Sequence, residues 1–193
     1  MHRMEADRAT SIQQACELVS AGDLIGASQL LANEYPFTPV QGNNRNYTPS
    51  QATAVFVRDG FIDRYRGGRL VFPAALRLLS HYLPGAFPFH KNWKMSACHL
   101  AYWELCSTVD HIVPVALGGV DAEENWASCS MLTNSIKSNW SLEQLQWRLH
   151  PAGSLIEWDG LLGWFARQVA GDQAVLQDPY IRRWHNAVRR IRA

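Results

Sequence analysis

The sequence has little of what stabilises small secreted proteins or anchors a chain in a membrane. Its four cysteines, at positions 16, 98, 106 and 129, form no CxxC pair, so the sequence predicts no disulfide framework. Its uninterrupted apolar runs are far shorter than the ~18–20 residues that span a bilayer. Glu5 and Asp7 stand early with no apolar stretch behind them. We therefore expect no signal peptide, no membrane partner and a cytoplasmic location.

The composition is that of an ordinary globular chain. Hydrophobic residues make up 47% of the 193 positions and charged residues 18%, which argues against a disordered or low-complexity protein. The length suits one domain with a small helical appendage. The sequence leaves the oligomeric state open.

The net charge of +1 hides a strongly uneven distribution. Residues 58–94 carry +5 and residues 180–193 carry another +5, whereas residues 1–57 carry −2 and residues 95–179 carry −7. Two basic blocks around an acidic one are compatible with polyanion binding beside a metal-holding site, and equally with an uneven solvated surface.

Hydrophobic periodicity and turn residues divide the chain into four parts. Residues 1–37 are predicted to form a helical pair, and the polar residues 38–50 a linker. Residues 51–150 form the main domain, and residues 151–193 form C-terminal helices, the last of them basic. The predicted class is α+β, a mostly helical body around a small hairpin.

Several local predictions follow from the same patterns. Two short strands are expected at 52–57 and 69–72. Five further helices are expected. They run from Pro73 to about Leu83, over residues 95–105, from Ser141 to about His150, from Asp159 to about Val169, and onward from the cap at Asp178.

Residues 108–139 contain the pattern that points to chemistry. Asp110 and His111 end a predicted strand, Gly118-Gly119 reverses the chain, and Asn134 lies on a following helix. The carboxylate and amide oxygens are hard ligands suited to magnesium or another divalent ion. Neutral imidazole suits a general base near neutral pH, so the set fits phosphodiester hydrolysis.

This segment resembles the HNH (ββα-metal) endonuclease family, and in particular small stand-alone bacterial-type members. The matching features are the Asp-His pair, Ile112-x-Pro114, the paired glycines, Asn125, and Asn134 followed by Lys137. The resemblance implies a hairpin–helix core in which His111 is the general base and Asp110 and Asn134 bind one divalent ion. It also implies that Asn125 ties the hairpin loop together and orients His111, and that Lys137 approaches a phosphate.

The chain departs from the family at the zinc-binding cysteines that many members carry. Asp63, Arg66, Ser130 and Thr133 occupy the four positions, and Cys129 is out of register by one. No structural zinc is therefore expected, because no Cys₄ site can form. An ion pair between Asp63 and Arg66 is a possible substitute.

The expected partner is DNA, with RNA not excluded. Backbone phosphates are predicted to meet Lys137 and two groups of arginines, Arg58, Arg64, Arg66 and Arg69 in the first basic block and Arg182, Arg183, Arg189 and Arg190 in the last helix. The leading hypothesis is a DNA endonuclease that leaves a 5′ phosphate and a 3′ hydroxyl, as the family resemblance implies. The alternatives are a non-catalytic nucleic-acid-binding module of the same fold and an RNA-directed nuclease.

Overall fold

A computed structural model describes residues 8–36 and 47–192. These residues fall into two compact units, one within residues 1–41 and one within residues 42–193. The predicted linker 38–50 lies mostly outside the described residues, and its last two residues already belong to a helix. No helix in the described ranges is both long and apolar enough to cross a membrane.

The first unit is the predicted helical pair. Helix α1 spans Arg8–Ser20 and helix α2 spans Leu24–Glu34. Asp23 caps α2 by accepting a hydrogen bond from the backbone N–H of Gly26. The Ser11 hydroxyl donates to Glu34 across the pair at 2.7 Å, which fixes the two helices against each other.

The second unit confirms a mixed, mainly helical fold with a two-stranded antiparallel sheet. The elements in chain order are α3 (Pro49–Arg58), α4 (Pro73–Tyr82), α5 (Ala101–Glu104), β1 (Ser107–His111), β2 (Trp126–Ser130), α6 (Met131–Lys137), α7 (Leu142–Leu145), α8 (Leu162–Gly171) and α9 (Pro179–Arg192). Strands β1 and β2 form the predicted hairpin, with Asp110 opposite Ala127 and His111 opposite Trp126. Helix α6 packs on both strands.

The strand predicted at 52–57 is wrong, because these residues lie inside α3. Thr48 and Gln51 form a reciprocal capping box, and Pro49 occupies the first turn. The β-branched valines resemble a strand, yet Ala52, Val55 and Phe56 recur at helical spacing and are all buried. Capping and helical spacing outweigh strand propensity here.

Three other elements are shorter than predicted. Residues 69–72 make only isolated bridges, Ile62 with Arg69 and Val71 with Cys106. The helix expected at 95–105 is a 3₁₀ turn and the short α5, separated by Cys98 in an extended conformation. Helix α7 ends at Leu145, far before His150, because Gln146 adopts a left-handed conformation at φ 56°. Helices α4, α8 and α9 lie where they were predicted.

The main core connects the hairpin to the C-terminal helices. Phe72 packs edge-on against Phe165 of α8 and Trp184 of α9, and Phe56 of α3 also contacts Trp184. Helix α9 packs most extensively on α3 and also on α4. The predicted division at residue 150 therefore does not divide the structure, since both parts share one core.

Candidate functional site

The end of β1 carries the two neighbouring side chains that the sequence singled out. Successive side chains on a strand point to opposite faces. Asp110 accordingly contacts Tyr65 and Lys137, while His111 contacts Asp121 and Trp126. Asn134 of α6 reaches back to β1, where its amide nitrogen donates to the Val109 carbonyl at 3.4 Å. The structure thus places Asn134 beside the Asp110–His111 pair.

One oxygen of Asp110 is held by two donors. The Tyr65 hydroxyl donates to Oδ2 at 2.8 Å, and the Lys137 ammonium lies 2.8 Å from the same atom. Lys137 also donates to the His111 carbonyl at 2.7 Å and is fully buried. Lys137 therefore cannot make the predicted phosphate contact, because its ammonium group is buried in an ion pair with Asp110.

Tyr65 is held in its protonated form. Burial raises the pKa of its phenol well above the ordinary range, and the neighbouring Asp110 carboxylate adds to the shift. Burial likewise raises the pKa of the adjacent Cys129 thiol. Tyr65 can thus act only as a hydrogen-bond donor to Asp110 at neutral pH.

His111 forms a triangle with Asp121 and Trp126. Its Nε2 lies 2.8 Å from Asp121 Oδ1, and the Trp126 indole N–H lies 3.0 Å from that oxygen and 3.1 Å from Nε2. Because an indole only donates and a carboxylate only accepts, the arrangement is consistent when Nε2 carries a proton and both N–H groups donate to Asp121. The lone pair of the neutral ring is then on Nδ1.

Asn125 ties the loop between the strands together. Its side-chain oxygen accepts from the Val113 N–H at 2.8 Å, and its amide nitrogen donates to the carbonyls of Val113 and Val120 at 2.9 and 2.8 Å. These hydrogen bonds correspond to the loop-tying role that the family resemblance implies for Asn125. Since Val120 precedes Asp121, Asn125 also fixes the segment that presents Asp121 to His111.

Three polar atoms at this site have no partner among the described residues. They are Nδ1 of His111, Oδ1 of Asp110 and Oδ1 of Asn134. Every fully buried side-chain nitrogen or oxygen in the described ranges does have a partner, so these three atoms are not fully enclosed, although Asp110 and His111 are only 4% and 3% exposed. An unpartnered carboxylate oxygen and an unpartnered amide oxygen are hard ligands that suit a magnesium-like ion. No trio of His, Cys, Asp or Glu side chains among the described residues forms a metal-binding group.

The residues at the four positions of the missing zinc cysteines form hydrogen bonds in place of a metal site. Asp63 accepts from the backbone N–H groups of Tyr65, Arg66 and Ser130 at 3.0–3.1 Å. The Ser130 hydroxyl donates to the Thr133 hydroxyl and caps α6. Asp63 thus contacts Arg66 through the backbone N–H and not through the suggested ion pair. The Arg66 guanidinium lies over the Trp147 ring.

The predicted phosphate-binding arginines divide into engaged and exposed groups. Arg58 and Arg64 both pair with the buried Asp59, and each also donates to backbone carbonyls. Arg69 is exposed and lies over the Trp158 ring, much as Arg66 lies over Trp147. The four arginines of α9 are all exposed, namely Arg182, Arg183, Arg189 and Arg190. Arg58 and Arg64 therefore serve the fold around Asp59.

Sequence reasoning missed Asp121 and Tyr65. Asp121 lies two residues after the paired glycines, and this position in the sequence does not predict its contact with His111. Tyr65 precedes Asp110 by 45 residues, and only the folded chain brings them together.

Comparisons with protein-family models, curated proteins and solved structures give no match to this chain.

Proposed function

We propose that the protein is a metal-dependent endonuclease that hydrolyses phosphodiester bonds of DNA, with His111 as the general base. The observation that carries the proposal is the geometry of His111. One ring nitrogen is held by Asp121, and the other has no partner among the described residues, which leaves it able to accept a proton. A hydrolase that activates water needs a positioned base of this kind, together with charge stabilisation at the phosphate.

The residues divide the work as follows. Nδ1 of His111 accepts a proton from the attacking water, and Asp121 holds the ring and stabilises the imidazolium that forms. Asp110 and Asn134 would hold the divalent ion, which when bound offsets charge on the phosphate and the leaving oxygen. Lys137 and Tyr65 keep Asp110 in place while leaving its second oxygen free.

The structural frame also supports the family resemblance seen in the sequence. A hairpin whose first strand ends in Asp110-His111 packs on a helix that carries Asn134. This order of elements supports the proposal of a ββα-metal core. The proposal therefore includes an HNH-type core within the mainly helical second unit.

The test is a cleavage assay with purified protein, supercoiled plasmid or structured RNA, and magnesium, manganese, nickel or EDTA. We expect plasmid nicking or cleavage that EDTA abolishes and that His111→Ala lowers by about 100-fold or more. His150→Ala is the matched control, because this imidazole is exposed and lies outside the motif. Plasmid binding without cleavage under any metal would favour the non-catalytic module, and cleavage of RNA alone would reassign the substrate.

The metal ligands are best tested at Asn134. Asn134→Ala should raise the magnesium concentration needed for half-maximal activity, whereas Ser135→Ala, an exposed neighbour on α6, should not. Asp110→Ala is a poorer test, because it would leave the buried Lys137 ammonium without its counter-charge. Equal metal dependence in the Asn134 and Ser135 variants would remove Asn134 from the proposed ligands.

A further inference from the structure

A cavity of about 430 Å³ lies between the start of α3 and one face of α9. Its α9 wall consists of residues that recur at helical spacing, namely Arg182, Arg183, Asn186, Ala187 and Arg190. Its α3 wall is the segment from Thr48 to Ser50. The size is within the ~300–1,000 Å³ typical of small-ligand sites.

The cavity concentrates positive charge that no described residue neutralises by direct pairing. Three arginines line it and no acidic residue does. Among the residues that the structure describes, none forms a side-chain hydrogen bond or ion pair with these three guanidinium groups. Arg58, Arg64 and Arg77, in contrast, each pair with an aspartate. Three clustered cations repel one another unless an anion lies between them.

The remaining polar groups of the cavity favour an oxyanion. Asn186 brings an amide, and Ser50 brings a hydroxyl that has no hydrogen-bond partner within the described residues. Guanidinium groups bind phosphate oxygens in a two-pronged geometry that lysine cannot reproduce. The lining is therefore suited to an oxyanion such as a phosphate group and not to an apolar ligand.

The cavity is joined to the proposed site through an aromatic contact. Tyr47, immediately before the α3 wall, packs edge-on against Trp126 with ring centroids 6.0 Å apart. Trp126 in turn donates to Asp121, the partner of His111. The α3 wall of the cavity is thus connected to Asp121 through Tyr47 and Trp126.

We propose that this cavity binds a backbone phosphate of a nucleic-acid strand through Arg182, Arg183 and Arg190. The choice of a nucleic-acid strand as the ligand rests on the proposed function. The assignment separates these three arginines from Arg189, which lies on α9 outside the cavity.

The experiment measures binding of a short labelled DNA duplex by fluorescence anisotropy over a series of salt concentrations, in EDTA so that no cleavage occurs. Arg183→Gln and Arg190→Gln should each weaken binding and flatten the plot of log affinity against log salt by ~0.9. Arg189→Gln is the matched control, with the same charge loss on the same helix, and should leave the slope unchanged. Glutamine keeps the helix intact.

Two results would overturn the assignment. Equal slope changes in all three variants would show a diffuse basic face in place of a site. Calorimetric binding of adenosine monophosphate that Arg183→Gln abolishes, with an unchanged DNA slope, would assign the cavity to a free phosphorylated compound. Because no step requires hydrolysis, a flattened slope in a protein that cleaves nothing would support the cavity and refute the nuclease, whereas cleavage with an unchanged slope would do the reverse.

Discussion

The Nε2 atom of His111 lies 2.8 Å from Oδ1 of Asp121, a residue ten positions later in the loop between the two strands. This contact decides which ring nitrogen is available. Asn125 holds the loop closed by bonding to Val113 and Val120, so the position of Asp121 is built into the hairpin. A carboxylate that orients a histidine is a positioning residue, and its effect should be separable from substrate binding.

Asp121→Asn should lower kcat about tenfold or more while leaving DNA affinity in EDTA unchanged. The amide can accept a hydrogen bond but cannot stabilise the imidazolium that forms during the reaction. Asp121→Glu should restore part of the rate, because it returns the charge. Parallel loss of kcat and DNA affinity in the asparagine variant would indicate a merely structural role.

Lys137→Met should destabilise the second unit by about 3–5 kcal/mol, because it leaves the Asp110 carboxylate without its buried counter-charge. Combining it with Asp110→Asn should recover part of this loss. Urea denaturation followed by circular dichroism measures both. Arg77→Gln, which breaks the more exposed pair with Asp178, should cost only ~0–1 kcal/mol. A similar small cost for Lys137→Met would contradict the buried ion pair.

Gly119→Ala should disrupt the loop that carries Asp121. A Cβ at this position would overlap the Val113 carbonyl and crowd the Asn125 amide, the two groups that close the loop. We expect faster amide hydrogen exchange at Val113 and a loss of activity, with a destabilisation of ~1–3 kcal/mol. Gly85→Ala, where an added Cβ meets no neighbour, is the control and should change neither measurement. Unchanged exchange at Val113 would refute the close approach.

Stability should fall on the alkaline side. Burial raises the pKa of the Cys106 thiol from 9.0, and that of the Tyr102 phenol from 10.0, to about 12 in each case. Between these values the unfolded chain loses protons that the folded chain retains. The free energy of unfolding is therefore at its full value below pH 9.0 and decreases as the pH rises toward about 12.

Urea midpoints measured across this range test the expectation. Cys106→Ala should make the decline shallower, because one of the shifted groups is gone. An equally steep decline in that variant would show that other groups dominate. Cys16, which is exposed, is the matched position for a control substitution to alanine.

The elements that could be predicted are those defined by local signals. Asp178 caps α9 where that helix was predicted to begin, and the Gly118-Gly119 reversal lies between strands where the hairpin was predicted. Local signals failed where two of them competed. At 52–57 the valines favour a strand, but the capping box at Thr48 and the burial of one helical face determine a helix.

The sequence by itself identified the residues on which the proposed chemistry rests. Asp110, His111, Asn125 and Asn134 are recognisable because their spacing follows from one hairpin and one helix, a local arrangement. The structure also shows that Lys137 forms an ion pair with Asp110 and that Arg58 and Arg64 form ion pairs with Asp59.

Only the tertiary structure decided which charged groups face solvent and which are neutralised inside. Lys137 and Arg182 read alike as basic residues on helices, yet one is fully buried and the other is exposed beside a cavity. The partners of Asp110, namely Tyr65 and Lys137, come from segments far apart in the chain. Charge pairing depends on distances across the fold, and no local pattern of residues encodes those distances.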